Sequence, residues 1–478
     1  MGIDKFHTWL KNTYYNSITE YNTSSYDHVY VDLNFLLHRL IAYSTSEKDL
    51  LSRVMESIDT IIHNNNPLKT LNLMADGSAS YAKILLQKKR RLQTAQSLAT
   101  KLKMENNIAV FDKKITPLHL TPGTQFMNHF NETIKKYVSD KIGKHIKVNL
   151  NLSDEPDESE FKISRYIVKN TTSVCETHLI LSSDADIVLI SLSLINIYNI
   201  DVVIQQGREN QTYIISIDQL LEQHMSMYGY HPLKRLDFVF LSILLGNDYF
   251  PKLRCAEFKK LWKVYKLSIK PYETIVNYDH SINLTTFINF LAKYLLNIPT
   301  KFKYVDADEL VNTNVDAYLY GLSWCIHLYA TGKYLDYGYS YHGQSVHPIC
   351  IIQYIISRKI HHKQMIFTIP HEINNTPPIS HNIYPIIVLP YCALRLIPEK
   401  YHYVIKNKLM YMYDEEFCKD CGSFKESLRQ SRLIDGIIET EPDKKIYSMQ
   451  KYITHKKTHV VLNPKDYINA IVGVVSNI

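Results

Sequence analysis

The pattern of apolar and polar positions changes character along the chain. From Asp27 to about residue 253, short apolar runs alternate with amphipathic stretches. "HVYVDLN", "TLNLMAD", "KVNLNL", "THLILSSD" and "DVVIQQG" read as short strands. Between them Leu50, Val54, Ile58 and Ile61 recur at three- and four-residue spacing, which predicts a helix. Such alternation predicts an α/β fold on a twisted, largely parallel sheet flanked by helices. Beyond Pro251 longer helical segments such as "FINFLAKYLL" take over, so a mainly helical second region is expected after about residue 260. The Pro- and Asn-rich stretch 369–382 reads as a loop, and no internal repeat interrupts the chain.

Composition narrows the class. With 478 residues, 45% of them apolar and 21% charged, the chain can bury a large core and is no disordered polyelectrolyte. No apolar run of about 18 residues occurs, and "MGIDKFHTWL" lacks the charged-then-apolar plan of a signal peptide. A soluble, cytoplasmic protein with no membrane partner is the expectation. Seven scattered cysteines argue against a disulfide framework, and the C-x-x-C of Cys418 and Cys421 lacks a second pair at zinc-site spacing. A net charge of +7 permits a polyanionic partner without demanding one. Tyr is abundant (36) and Gly scarce (14), a bias that AT-rich coding produces and that says nothing about mechanism.

The acids are more informative than the balance of charge. Asp32 and Asp76 end two predicted strands, and Asp184 and Asp186 end a third. On an extended segment, residues two apart project from the same face. Asp248 follows the apolar segment Leu236–Leu245, just past Gly246 at its expected C-terminal cap. Glu158 and Glu160 fall at a predicted helix start, with Pro156 suited to the first turn. Each acid alone reads equally well as a turn former or helix cap. Together they occupy equivalent positions at the carboxyl ends of one sheet, where α/β proteins place their sites. Carboxylates gathered there repel one another, and hard divalent cations with oxygen ligands are the natural compensation.

"ADGSASYAKILLQKKRR" follows Asp76 directly. On a helix Lys83, Gln87 and Arg90 share one face, with Arg91 beside them. A solvated charged surface is the plain alternative. Next to the acids, the same face could clamp a phosphate, with arginine giving bidentate contacts.

At this point the chain resembles the Xrn family of 5′→3′ exoribonucleases. "MGIDKF", "YVDLNFLLH", "ADGSASYAKILLQKKRR", "TPGTQFM", "SSDADIVLISL" and "FLSILLGNDYFPKL" resemble that family's blocks in its order, and "GLSWCIHLYATG", "YGYSYH" and "IIVLPYCALRLIPEKY" resemble its second conserved region more loosely. The resemblance spans roughly residues 1–405. It implies a PIN/flap-nuclease-like core over residues 1–260, a mainly helical second conserved region over 261–405, and a C-terminal segment, 406–478, without a counterpart. It places the family's seven acidic metal ligands on Asp32, Asp76, Glu158, Glu160, Asp184, Asp186 and Asp248. Its 5′-phosphate pocket falls on Lys83, Gln87, Arg90 and Arg91. Its base-stacking histidine falls on His38, which otherwise reads as a core-facing histidine, and Tyr337 is the nearest match to its other stacking aromatic. Where the family has glycines before and between the two glutamates and a histidine after them, this chain has Asp157, Ser159 and Phe161.

What the resemblance implies is hydrolysis of single-stranded RNA with a 5′-monophosphate end, releasing mononucleotides, with two Mg²⁺ or Mn²⁺ ions. Two alternatives stay open. A flap-endonuclease-like DNA nuclease shares an acidic core, but "PKLRCAEF" stands where its helix–hairpin–helix is expected. An inactive RNA-binding scaffold has no use for seven clustered acids.

Overall fold

The computed structural model describes residues 6–104, 115–142, 146–182, 184–206, 211–299, 304–369, 375–413 and 464–475. Seven strands form one sheet: β1 (Ile18–Glu20), β2 (Tyr26–Asp32), β3 (Pro67–Met74), β4 (Lys147–Asn151), β5 (His178–Leu181), β6 (Ile200–Gln206) and β7 (Gln211–Ser216), in the order β1-β7-β6-β5-β2-β3-β4. β4, β3, β2, β5 and β6 run parallel, as the alternating pattern predicts. β7 and β1 add an antiparallel margin that the sequence reading did not include.

The side-chain period of two sorts residues between two cores. Val29, Val31, Leu71, Leu73, Leu179 and Leu181 face one layer. There they meet the predicted stripe Leu50, Val54, Ile58 and Ile61 of helix Glu47–Asn65 and the apolar face of Gln125–Lys141. Tyr30, Met74 and Ile180, on the alternate positions, face the other layer, formed by helices Ser159–Asn170, Ala185–Ser193 and Lys234–Ile243. That second core runs on without a break through Phe258–Ser268, Leu284–Asn297, Val315–Thr331 and Pro348–Ile360, so the helical region past residue 260 packs on the sheet layer through one apolar cluster. No described helix is long and apolar enough to cross a membrane.

Two boundaries differ from the sequence reading. β5 stops at Leu181, and the segment carrying Asp184 and Asp186 is the start of helix Ala185–Ser193, not extended chain. All nine residues of that helix are buried, and a segment apolar on every side has no periodicity to tell helix from strand. Asp184 decides it by accepting the Asp186 N–H at 3.1 Å as the helix cap. Pro156 lies in the loop before the next site helix, which begins at Ser159 with Glu158 as its cap.

The basic segment is helix Tyr81–Met104. Its far side packs in a third core, where Ile84 and Ala95 meet Tyr384, Ile387 and the C-terminal helix Pro464–Val475. Lys88 donates to the Tyr467 hydroxyl, which donates in turn to the Ile387 carbonyl at 3.0 Å. Part of the segment without a counterpart is thus a brace behind the basic helix.

At the opposite end of the sheet from the acids, His28 and His178 are register partners on β2 and β5. Their buried rings stack 5.0 Å apart at 15°. Burial, then the neighbouring His28 ring, lowers the His178 pKa from 6.5 to about 4, and burial lowers His28 too. The folded protein therefore holds these rings neutral where the unfolded chain would protonate them. Their contribution is complete above pH 6.5 and is lost as pH falls toward 4. We expect His178→Gln to flatten the acid limb of stability, with the unsubstituted protein losing on the order of 2–3 kcal/mol more between pH 7.5 and pH 4.5. Urea unfolding of both proteins across that range measures it, and parallel curves would refute the assignment.

Candidate active site

The carboxyl edge of the sheet is stitched together by its own acids. Asp32 ends β2 and caps helix Leu33–Leu40, accepting the Asn34 and Phe35 N–H groups at 3.0 and 3.2 Å. Its second oxygen accepts the Ser182 hydroxyl at 3.0 Å, beyond the end of β5. The Asn34 side chain accepts the Asp76 N–H at 2.9 Å, and the Asp76 carboxylate accepts the Ser159 N–H at 2.8 Å. Lys162, fully buried, donates to the carbonyls of Ala75, Leu152 and Glu155 at 2.8, 2.9 and 3.0 Å. The loops approach so closely that a Cβ on Gly77 would lie 1.7 Å from the Glu155 carbonyl oxygen, so only glycine fits there.

These loops enclose a cleft of about 550 Å³. Six of the seven predicted acids line it: Asp32, Asp76, Glu158, Glu160, Asp184 and Asp248. Lys83, Gln87, Arg90 and Arg91 line it from the basic helix, as the spacing predicts. His38 also lines it, with its side chain exposed and not turned to the core. Asp186 lies behind the wall, 2% exposed, and its Oδ1 meets no hydrogen-bond donor among the described residues. Tyr337 is not brought to the cleft wall: its hydroxyl donates to Asp157 at 2.7 Å and its ring packs on Tyr334. Cys418 and Cys421 lie outside the described residues.

Electrostatics divides the acids into two sets. Lys83 contacts Glu158 and, at 3.0 Å, Asp248, while Arg90 forks onto Asp248 at 3.0 and 2.7 Å. Burial alone would raise the Asp248 pKa, but Lys83 and Arg90 outweigh it and bring it to about 2. Four others, Asp32, Asp186, Glu158 and Glu160, are pushed the opposite way. Burial and then Asp76 raise Asp32 to about 7, and burial followed by Asp184 and Asp248 raises Asp186 to about 8. Glu158 is raised by burial to about 7 despite Lys83, and burial with Glu158 beside it takes Glu160 well above the usual range.

An all-oxygen donor set with unmet negative charge and an orphaned carboxylate oxygen suits hard divalent cations. Among the described residues, no three of these acids are yet drawn round one point. Lys83 and Arg90 stand among them instead.

Several contributors escaped the sequence reading. The Asn34 side chain accepts the Asp76 backbone N–H, Ser182 donates to the Asp32 carboxylate, Tyr249 donates to Glu158, and Thr121 accepts from Arg91 at 2.9 Å. Tyr249 adjoins Asp248 and Asn34 lies two residues past Asp32, so position next to a candidate acid was the only available signal. The departure at Asp157 also resolves. Its φ is +82°, so the chain keeps there the left-handed turn that a glycine would take freely.

Comparison with known proteins finds similarity to one family, to curated relatives and to solved structures. The family described as "XRN 5′-3′ exonuclease N-terminus" matches residues 1–204. The chain is 24% identical over 353 residues to 5′-3′ exoribonuclease 1 of Saccharomyces cerevisiae, covering 62% of this chain and 23% of that protein. It is 23% identical over 398 residues to 5′-3′ exoribonuclease 2 of Arabidopsis thaliana, covering 61% and 39%. The chain thus spans well under half the length of these curated relatives. Among solved structures it is similar to the catalytic core of Rad2 in complex with DNA substrate, with a TM-score of 0.36 and 11% identity, covering 70% of this chain and 96% of that one. It is also similar to the T5 D15 protein co-crystallized with metal ions, with a TM-score of 0.32 and 11% identity, covering 64% and 86%. The similarity to the XRN 5′-3′ exonuclease N-terminus thus covers residues 1–204, less than half of this chain.

Proposed function

We propose that this chain is a metal-dependent 5′→3′ exoribonuclease, hydrolysing single-stranded RNA that bears a 5′-monophosphate and releasing mononucleotides. The observation that carries the reading is one cleft lined by six carboxylates and by the phosphate-sized face of Lys83, Gln87, Arg90 and Arg91. The relatives' name, 5′-3′ exoribonuclease, supports both the substrate class and the direction.

Mg²⁺ or Mn²⁺, as one ion or a pair, would be held by Asp32, Asp76, Glu158, Glu160, Asp184, Asp186 and Asp248, supplying charge neutralisation at the phosphodiester and a more acidic water. The chain's own residues do the rest. Arg91, steadied by Thr121 and Gln87, presents its guanidinium to a terminal phosphate. Lys83 and Arg90 are engaged on Glu158 and Asp248 and turn to phosphate only when those carboxylates are satisfied otherwise. Recognition of the 5′ end is thereby coupled to occupation of the acidic site. His38, exposed on the cleft wall, offers a face for the terminal base.

Asp184→Asn with Asp186→Asn keeps a helix cap while removing two ligands. We expect cleavage of 5′-labelled RNA in Mg²⁺ to disappear while RNA binding, measured by gel shift, persists. Near-normal turnover would refute the ligand assignment. Rates should rank monophosphate ends above hydroxyl ends, with triphosphate ends and circular RNA resistant. Arg91→Ala should cut the rate on monophosphate ends roughly tenfold to a hundredfold and spare hydroxyl ends. Equal slowing of both would make Arg91 a general electrostatic contact, and internal cuts in circular RNA would mark an endonuclease.

A further inference from the structure

Asp157 immediately precedes Glu158 and carries a φ of +82°, a region that strains most residues with a side chain. The backbone at this point joins two parts of the site. The Gly77 N–H donates to the Asp157 carbonyl at 2.8 Å, and the Asp157 N–H donates to the Ser78 carbonyl at 3.1 Å. The turn at 157 therefore fixes both the loop after Asp76 and the direction in which Glu158 leaves. Such strain persists only where the surroundings over-determine it.

Two partners do so here. Asp157, 4% exposed, accepts the Tyr337 hydroxyl at 2.7 Å and pairs with the Arg165 guanidinium at 2.7 Å. Tyr337 comes from the loop after helix Val315–Thr331, in the helical second region. Its carbonyl accepts the N–H of Tyr81 at 2.9 Å, the first residue of the basic helix and two before Lys83. A single residue from the second region thus holds the acidic loop by its side chain and the basic helix by its backbone.

We propose that Tyr337 is a positioning residue that acts through Asp157: it holds residue 157 in the left-handed turn and so aims Glu158 and Glu160 into the cleft. The inference rests on the metal-site reading above. It separates Tyr337 from any role as a stacking surface, because the hydroxyl and not the ring is the working part.

Tyr337→Phe removes that hydroxyl and keeps both ring and carbonyl. Mn²⁺ binding by isothermal titration calorimetry should weaken roughly 10- to 100-fold, the size of effect seen when a ligand's supporting hydrogen bond is removed. The KM for 5′-monophosphate RNA should stay unchanged while kcat at fixed metal falls. Adding Asp157→Gly to Tyr337→Phe should restore Mn²⁺ affinity, since glycine takes φ +82° without a tether. Unchanged Mn²⁺ affinity in Tyr337→Phe, or a double variant no better than the single, would overturn the inference alone. Absence of Mn²⁺ binding by the unsubstituted protein would overturn the metal reading, and this inference with it.

Discussion

Burial of mutually repelling carboxylates at one edge of a parallel sheet, with loss of water the larger cost, is the constraint on which the rest of this structure depends. Raising Asp32 from 3.8 to about 7 corresponds to about 4 kcal/mol of resistance to ionisation. Asp186, raised to about 8, bears a comparable cost. Native stability as a whole is typically only about 5–15 kcal/mol, so a site of this kind exists only where the scaffold around it is firmly held. The two apolar layers on either face of the sheet and the hydrogen-bonded loops at its edge supply that support.

The basic helix is the local answer to that repulsion. Lys83 and Arg90 lodge among the acids, and Asp248, the acid they reach best, is held near pKa 2 while its neighbours are pushed the other way. In the proposed function one set of cations would serve two anions in turn, the protein's own carboxylates and a terminal phosphate. Such an arrangement demands a helix that cannot drift. Ile84 and Ala95 anchor its far side in the third core, with Tyr467 bridging Lys88 and Ile387. That is a physical reason for the chain to bring its C-terminal helix back across the molecule.

Lys162 shows the same logic with backbone carbonyls as its partners. Burial lowers its pKa from 10.5 to about 8, yet three backbone carbonyls from the ends of β3, β4 and the following loop meet its ammonium. Hydrogen bonds to three carbonyls offset the cost of taking that ammonium out of water. The lysine converts three loop ends into one rigid platform under Asp76 and Glu158.

Features set by neighbours in the chain were legible without the structure. The period-two strands, the stripe Leu50, Val54, Ile58 and Ile61, Asp32 and Asp76 at the ends of their strands, and the shared face of Lys83, Gln87 and Arg90 all depend on local spacing, and all reappear in the fold. What the tertiary structure decided depends on residues far apart. Lys83 meets Glu158 across 75 positions, Arg90 meets Asp248 across 158, and Tyr337 meets Asp157 across 180. No periodicity encodes such contacts, so neither the pairing of cations with carboxylates nor the withdrawal of Tyr337 from the cleft wall could be read from spacing. The helical start at Asp184 was hidden for a different reason: a segment buried on every side carries no pattern until the sheet and helices around it are in place.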